Sequence, residues 1–242
     1  MKIKQQKQIK AFLIEEFGNK KGCAVSDRQE KMLDTLIQNT KNKSENQMKT
    51  LAQTILPRIA LHKCLSEEGF SEEDVYKYMR KYMLDKVAAK KHASTAKMEL
   101  VPGFYAIYSN IFLKIMRTTD LQESTQAYGN DYYDVTIKKC LWHTACVENG
   151  CENLCRLFCD VDDVTYGGLK KNGFTRTKTL GYGGDCCDFH FFKKISSFIK
   201  TFCLTFLKIR NIIVLERVAD ERKSSFVARF FYFKSITPLK SV

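Results

Sequence analysis

The chain has 242 residues, 44% of them hydrophobic and 28% charged, which is enough for one substantial domain of ordinary globular composition. Its formal net charge is +13, because 40 Lys and Arg stand against 27 Asp and Glu. Residues 193–242 carry eight of these charges, since eleven basic side chains there face three acidic ones. The remainder is only mildly basic, so its charge does not indicate a nucleic-acid partner.

Ten cysteines would suit a disulfide scaffold in a short secreted protein. The first residues, MKIKQQKQIKAFLIEEFG, hold apolar side chains at helical spacing, without a continuous apolar core or a small-residue cleavage site. We therefore predict a cytoplasmic protein whose cysteines are mostly reduced.

The spacing of apolar residues predicts a mainly helical segment over residues 1–130. A first helix ends at Gly18, a polar hinge follows, and Ser26 with Gln29 resembles a capping box that opens the next helix. Pro57 either kinks a helix or opens one.

Further along this segment, Gly69 is a helix stop, and Ser71 with Asp74 caps the helix that follows. That helix is expected to fray into a basic connection over residues 86–103. An aromatic stripe between Phe104 and Met116 then predicts a helix whose aromatic residues belong to the core.

After residue 130 the pattern changes to a strand–helix–hairpin order that is rich in cysteine. The predicted elements are a strand at Tyr133–Ile137, helices at Leu141–Glu148 and Glu152–Phe158, and paired strands at Phe174–Leu180 and Cys187–Phe192. The fold class is therefore α+β, with N-terminal helices packed on a small antiparallel β-sheet formed by the C-terminal half. Residues 1–192 are expected to form this single domain, of which 131–192 is the cysteine-rich part.

Residues 193–242 are predicted to be a separate basic tail. Lys200, Lys208 and Arg210 interrupt its apolar stretch, so no run is long enough to span a membrane. A basic amphipathic helix there would make weak contact with an anionic membrane surface.

Chemically reactive residues concentrate between Cys140 and Phe191, which hold seven of the ten cysteines and two of the four histidines. Cys151, Cys155 and Cys159 are four residues apart and would share a helical face. Such thiols could supply the tetrahedral ligands of a zinc ion, although no CxxC pair is present. The alternative is that they are small core residues, which we expect for Cys155.

A cysteine nucleophile needs a nearby base, and His143 and His190 are the closest in sequence. On a strand, Asp188 and His190 would face one side and Cys187 the other. The acidic run Asp160, Asp162 and Asp163 could bind a metal, act as a base or, as is usual, cap a turn. Arg58 and Arg176 could each bind a substrate carboxylate.

Four motifs together point to a family: ILPRIALHKCL from Ile55, IKKCLWHTAC from Ile137, LFCDVDD from Leu157 and TRTKTLGYGGDCCDFHF from Thr175. With these, residues 50–192 resemble the L-2-amino-thiazoline-4-carboxylic acid hydrolase family. The tail after residue 192 does not match. A looser resemblance links the last strand to small-molecule-sensing domains of the vinyl reductase type, which have no enzymatic role.

The first resemblance implies hydrolytic opening of a cyclic amidine of small-molecule size, at its C–S or C–N bond. Cys140, Cys159 and Cys187 would form the centre, as a nucleophile with its neighbours or as ligands of a water-activating divalent metal such as zinc. Asp160 or Asp188 would act as the base. We assign His143, Arg176 and His190 to substrate binding. The alternative function is a non-catalytic domain that senses a small molecule or a metal.

Overall fold

Helices precede strands in the computed structural model, which describes residues 4–194. The helices are α1 (Lys4–Asn39), α2 (Glu45–Thr50), α3 (Leu56–Glu67), α4 (Glu72–Arg80), α5 (Ala89–Met98), α6 (Phe104–Thr118), α7 (Leu141–Glu148) and α8 (Glu152–Tyr166). The strands are β1 (Gln122–Tyr128), β2 (Tyr132–Cys140), β3 (Asn172–Thr175) and β4 (Cys187–Lys193). Short π-helical segments, Leu51–Ile55 and Lys81–Ala88, join α2 to α3 and α4 to α5, and Leu180–Tyr182 forms a 3-10 turn.

The first helix bends at Gly18, where the left-handed φ of 76° interrupts the helical geometry as predicted. The predicted polar hinge after it is wrong, because residues 19–39 are helical. Ser26 and Gln29 lie inside that helix and are buried rather than forming its cap. The Gln29 side chain donates a hydrogen bond to the Pro57 carbonyl at 2.9 Å, so polar residues of α1 face the central helix α3.

Pro57 opens α3 immediately after a π-helical segment. Proline has no N–H, so the carbonyl of Gln53 loses its usual helical donor. The Gln5 side-chain amide donates to that carbonyl instead, at 2.9 Å. The bond joins α1 to the segment before α3.

Gly69 has a φ of 81° at the end of α3, and the Ser71 side chain accepts the Asp74 N–H at 3.1 Å, which confirms the predicted stop and cap. The predicted fraying after α4 is wrong, since helix continues to Met98. A buried residue at its end, Glu99, accepts the backbone N–H groups of Lys170, Lys171 and Asn172. This tertiary anchor holds a helix whose own sequence is largely polar.

The sheet is antiparallel throughout, in the order β1-β2-β4-β3. The α+β prediction is confirmed, and β2, α7 and β4 fall close to their predicted bounds. The strand predicted over Phe174–Leu180 ends at Thr175, because the N–H groups of Thr177 and Lys178 donate to the Asp188 carboxylate rather than to a neighbouring strand.

Alternate residues of the central strands form the inner face of the sheet, where Tyr133 and Phe191 stack with ring centroids 4.6 Å apart. Phe112 of α6 and Tyr166 of α8 contact Phe191 at 5.0 and 5.2 Å, so these two helices cover that face. The core position predicted for the aromatic residues of α6 holds for Phe104 and Phe112.

No helix within residues 4–194 has the length and apolar character that crossing a bilayer needs. The predicted tail lies outside the described residues from residue 195 onward, and so does its predicted contact with a membrane surface.

Candidate active site

Three separate elements bring cysteines to one region beside the sheet. Cys140 ends β2 and is the N-cap residue of α7, while Cys187 begins β4, which pairs with β2. Cys155 and Cys159 lie one turn apart on α8. A tight α7–α8 connection, with Gly150 at a φ of 62°, turns α8 back toward the end of β2.

The thiols form a connected cluster with Cys155 at its centre. Cys155 interacts by side-chain hydrogen bonds with Cys146 of α7 and with Cys159. Cys140 and Cys187 both lie within electrostatic reach of Cys155. The structure therefore places the three cysteines singled out from the sequence around a fourth, Cys155, whose predicted core position is confirmed by its burial.

Negative charge in this cluster is favoured at Cys155. Hydrogen bonds from Cys146, and then from Cys159, lower the pKa of the Cys155 thiol, and His143 of α7 lowers it further. The same interaction with Cys155 raises the pKa of Cys159. Burial raises the pKa of Cys140 to about 12, despite the opposing effect of the backbone amides of His143 and Trp142.

The 3-10 turn Leu180–Tyr182 covers the cluster from outside. The Leu180 N–H points at the Cys187 sulfur at 3.3 Å, and Thr179 interacts with the Cys159 thiol. A Cβ at Gly181 would stand 2.8 Å from the Cys159 sulfur and 3.0 Å from the Cys155 carbonyl oxygen. Only glycine lets the turn approach α8 this closely.

A surface pocket of about 250 Å³ adjoins this turn. It is lined by polar and charged residues, namely Asp160, Asp163, Arg176, Thr177, Lys178, Thr179 and Tyr182. The Tyr182 hydroxyl donates to Asp160 at 2.8 Å, and Arg176 forms an ion pair with Asp163. Nη1 of Arg176 is buried and has no hydrogen-bond partner within residues 4–194.

The acidic run does not cap a turn, because α8 continues to Tyr166. Asp160 and Asp163 face the pocket, whereas the half-buried Asp162 faces Lys91 of α5 and Arg176. Burial raises the pKa of Asp162 to about 6, against the opposing effect of these two cations. The sequence named Asp162 only as one of the three carboxylates in the acidic run, and its position three residues after Cys159 places it on the thiol side of α8.

A family model for L-2-amino-thiazoline-4-carboxylic acid hydrolase matches residues 47–191, from α2 to β4. The chain belongs to this hydrolase family. The match includes the thiol cluster, Asp162 and the residues that line the pocket, and it confirms the family indicated by the sequence motifs.

Other comparisons add little to the family assignment. No curated protein matches the chain. Among solved structures, an Fe(II) unliganded H-NOX protein from K. algicida matches 81% of this chain and 98% of its own, at 11% identity and a TM-score of 0.34. An H-NOX protein from S. oneidensis in the Fe(II)NO state matches 81% of this chain and all of its own, at 12% identity and a TM-score of 0.32.

Not all the residues assigned to the site lie together in this member of the hydrolase family. Cys140, Cys159, Cys187 and His143 surround Cys155, and Asp160 and Arg176 line the adjoining pocket. Asp188 and His190 lie on the opposite face of β4 from Cys187.

Both of these residues have other partners on that outer face. Asp188 accepts hydrogen bonds from Thr177 and Lys178, which lower its pKa although burial opposes the shift. The exposed His190 contacts Asp134 of β2 at 2.5 Å, so the structure does not bring Asp188 and His190 into contact with the thiols.

The zinc site of the sequence hypothesis remains a prediction. Within residues 4–194, no group of three His, Cys, Asp or Glu side chains has the arrangement of a metal site. The nine cysteines of this part of the chain are free thiols, six of them buried.

Proposed function

We propose that this chain is a cysteine-dependent hydrolase that opens the ring of a cyclic amidine such as L-2-amino-thiazoline-4-carboxylate. The observation that carries the proposal is the thiol cluster around Cys155, next to a half-buried carboxyl with a raised pKa and a pocket lined with charged groups. The family assignment supports the same class of reaction.

In the proposed first step, Cys159 attacks the ring carbon between sulfur and nitrogen. Cys159 is the half-buried thiol beneath the 3-10 turn. Formation of the new C–S bond makes the Cys159 proton strongly acidic, and this proton would then pass to the neighbouring Cys155 thiolate despite the lower pKa of Cys155. Ring opening breaks the bond from that carbon to the ring sulfur or the ring nitrogen. The leaving atom needs a proton, and Asp162, with a pKa of about 6, can hold one near neutral pH.

In the proposed second step, water adds to the same carbon and displaces Cys159, which takes its proton back from Cys155, giving a carbamoyl-cysteine and the free Cys159 thiol. Asp160 would take the proton from this water, oriented by its hydrogen bond from Tyr182. Arg176 would bind the substrate with its unpartnered Nη1, and His143 would favour the Cys155 thiolate. Asp188 is proposed as the support of the Thr177–Lys178 backbone, rather than as the base.

Cys140 and Cys187 are proposed as neighbours that shape the thiol centre. If the protein binds a divalent metal such as zinc, these two with Cys159 remain the candidate ligands. Free thiols also suit a reducing compartment, and we therefore propose a cytoplasmic location.

A non-catalytic sensing domain is the second candidate. The observation that favours it is the depth of Cys155 and Cys187, whose exposed fractions are 2% and 5%. A thiol cluster closed to solvent would suit recognition of a small molecule that enters on opening of the 3-10 turn.

Turnover of L-2-amino-thiazoline-4-carboxylate by single variants separates the two candidates. We expect Cys159→Ser to reduce kcat by about 100-fold or more, because a hydroxyl is a far poorer nucleophile than a thiol at neutral pH. Cys23→Ser in α1, a half-buried thiol far from the cluster in the sequence, is the matched control and should be fully active. Unchanged turnover in Cys159→Ser would contradict the assignment of Cys159 as the nucleophile. If the wild-type protein binds the compound but does not turn it over, the result would favour the sensing domain.

The neighbours and the metal are tested on the same preparations. Cys187→Ser should lower kcat without abolishing it, and full activity in this variant would exclude Cys187 from the centre. Metal analysis of freshly purified protein would favour the metal-activated mechanism only if one equivalent of zinc or iron is found and is lost in Cys159→Ser.

A further inference from the structure

Arg58 is a buried cation that has no anionic partner in the described part of the chain. It lies in the first turn of α3 with 5% of its surface exposed, and most residues of this helix are buried. Within residues 4–194 its Nε has no hydrogen-bond partner and its guanidinium has no ion pair. Its contact is with the face of Phe158 on α8, with 5.3 Å between the guanidinium carbon and the ring centroid.

Such an arrangement is energetically unfavourable in the free protein. A buried charge is usually paired, because removing it from water costs several kcal/mol. Only an ion pair or good hydrogen bonds offset a cost of this size. The cation–π contact with Phe158 offsets only about 2 kcal/mol of this cost. Burial accordingly lowers the pKa of Arg58. An anion that enters from outside would complete the site.

The polar groups of the described chain with which Arg58 interacts are the Tyr82 hydroxyl and Lys91. The Tyr82 hydroxyl is buried without a hydrogen-bond partner in the described chain, and burial raises its pKa to about 12, so it is a neutral donor at neutral pH. Lys91 of α5 lies within electrostatic reach of Arg58, and Asp162, which also interacts with Lys91, compensates the lysine charge. A set of donors without an acceptor selects an anion.

The local backbone is unusual at both residues. Arg58 follows the π-helical segment Leu51–Ile55 by three positions, and Tyr82 lies inside the second π-helical segment, Lys81–Ala88. A π-helical turn inserted in an α-helix is rare and occurs often at functional sites. Here two such segments lie next to the same pair of unpartnered polar groups.

This position adjoins the thiol cluster through α8. Phe158, which contacts Arg58, is one helical turn from both Cys155 and Asp162. Arg176, the other candidate for binding a carboxylate, already has an ion pair with Asp163. Of these two arginines, Arg58 is the one that has no ion pair within residues 4–194.

We propose that Arg58 and the Tyr82 hydroxyl form an internal binding position for the carboxylate of a small planar ligand. The choice of a heterocyclic carboxylate as that ligand rests on the proposed hydrolase function, whereas the anion position itself rests on Arg58 and its surroundings. A ligand held there by its carboxylate would direct its ring toward Cys155 and Asp162.

The test is ligand-induced thermal stabilisation of the full chain by 2-aminothiazole-4-carboxylate, an aromatic analogue, compared with 2-aminothiazole, which lacks the carboxylate. The wild type should bind the carboxylate roughly 10- to 100-fold more tightly, as expected for charge-assisted hydrogen bonds. Arg58→Met should remove this preference, and Tyr82→Phe should weaken it. Arg117→Met is the matched control, since Arg117 lies over the Tyr128 ring on the exposed surface.

The stability of the ligand-free variant distinguishes this proposal from a structural role. Replacing an unpaired buried charge by an apolar side chain of similar length should leave the melting temperature of free Arg58→Met unchanged or raise it. The proposal is overturned if Arg58→Met keeps the carboxylate preference, if it melts lower than the wild type, or if both probes bind the wild type equally.

Turnover distinguishes this result from the fate of the hydrolase proposal. Carboxylate-selective binding that depends on Arg58, in a protein that turns over no cyclic amidine, would support the anion position and contradict the hydrolase. Turnover of a cyclic amidine by the wild type, with a KM that Arg58→Met leaves unchanged, would support the hydrolase and contradict the anion position.

Discussion

The Tyr182 hydroxyl donates a hydrogen bond to Asp160 at 2.8 Å and so connects the 3-10 turn to α8 at the edge of the polar pocket. Tyr182→Phe removes this bond and leaves the ring, which also contacts Arg156. Because the pair is exposed, we expect a stability change below about 1 kcal/mol. If Asp160 activates water, kcat should fall roughly tenfold.

Steady-state kinetics and urea unfolding measure these two effects. Tyr128→Phe, at another exposed tyrosine that contacts an arginine, is the control and should change neither. An unaltered kcat in Tyr182→Phe would exclude Asp160 as an oriented base.

Gly181 sets the distance between the 3-10 turn and the thiols. Gly181→Ala would place a methyl group 2.8 Å from the Cys159 sulfur and 3.0 Å from a backbone oxygen of α8. We expect a loss of about 1–3 kcal/mol in the free energy of unfolding, because the turn or α8 must shift. The displaced turn should also make Cys159 react faster with a thiol reagent such as 5,5′-dithiobis(2-nitrobenzoate).

The control for this variant is Gly129→Ala, whose methyl group would meet the outer part of the Tyr132 ring at 2.7 Å. Tyr132 is exposed and can rotate away, so stability should change little. Equal midpoints of unfolding in the two variants would contradict the close approach at Cys159.

The raised pKa of Asp162 predicts that the stability of the protein depends on pH. Its pKa in the folded protein is about 6, above the ordinary aspartate value of 3.8 that applies to the unfolded chain, so the unfolded state ionises first as the pH rises. The folded state is therefore progressively penalised between about pH 4 and pH 6, and the full penalty remains above pH 6. Asp162→Asn removes this term and should stabilise the protein at pH 8 by roughly 1–3 kcal/mol.

Urea unfolding at several pH values tests this sign. The advantage of Asp162→Asn should shrink as the pH falls through 6 and disappear near pH 4, while the exposed control Asp34→Asn should show no such trend. An advantage that grows toward low pH would show that the shift has the opposite direction. If Asp162 donates a proton, the kcat of the wild type should also decline as the pH rises, with an apparent pKa near 6.

Glu99 is the anchor between α5 and β3. Its carboxylate accepts three backbone N–H groups, at 2.7 Å from Lys170, and at 2.6 and 3.1 Å from the next two residues. Glu99→Gln keeps the shape but removes the charge and one acceptor oxygen, so we expect destabilisation of about 2–3 kcal/mol.

The matched control is Glu123→Gln, which breaks an exposed ion pair with Lys139 and should cost less than about 0.5 kcal/mol. Urea unfolding of both variants gives the comparison. If Glu99→Gln is no less stable than Glu123→Gln, the segment before β3 is held by other contacts.

Where side chains follow a regular pattern, the sequence was sufficient to predict the fold. The alternation in β2 and β4 and the helical spacing in α6 and α7 are each confirmed by the structure. Strand β1 was not predicted, because its sequence QESTQAY is polar and this edge strand is largely exposed. The prediction that α5 frays was wrong, because Glu99 anchors the end of this helix through hydrogen bonds with residues 71 to 73 positions away. No local sequence pattern shows such contacts.

The same limit applies to the site. Motifs indicated Cys140, Cys159 and Cys187, which the fold brings around Cys155. The sequence placed Cys155 on one helical face with Cys159 but assigned it to the core, and it named Asp162 only as part of an acidic run. A helix predicted to end at Phe158 gave no reason to place Asp162 on the same face as these thiols. The position of Asp188 and His190 on the face opposite Cys187 follows from strand alternation. Only the tertiary structure shows that the thiol cluster lies on the Cys187 side of the strand.

The central claim is that these thiols form one reactive centre with Cys159 as the nucleophile. Rapid quenching of the wild type with L-2-amino-thiazoline-4-carboxylate, followed by peptide mapping with mass spectrometry, tests it most directly. We predict a transient adduct on the peptide that contains Cys159, which is absent in Cys159→Ser and more persistent in Asp160→Asn. Turnover without any cysteine adduct, or an adduct on Cys23, would contradict the account.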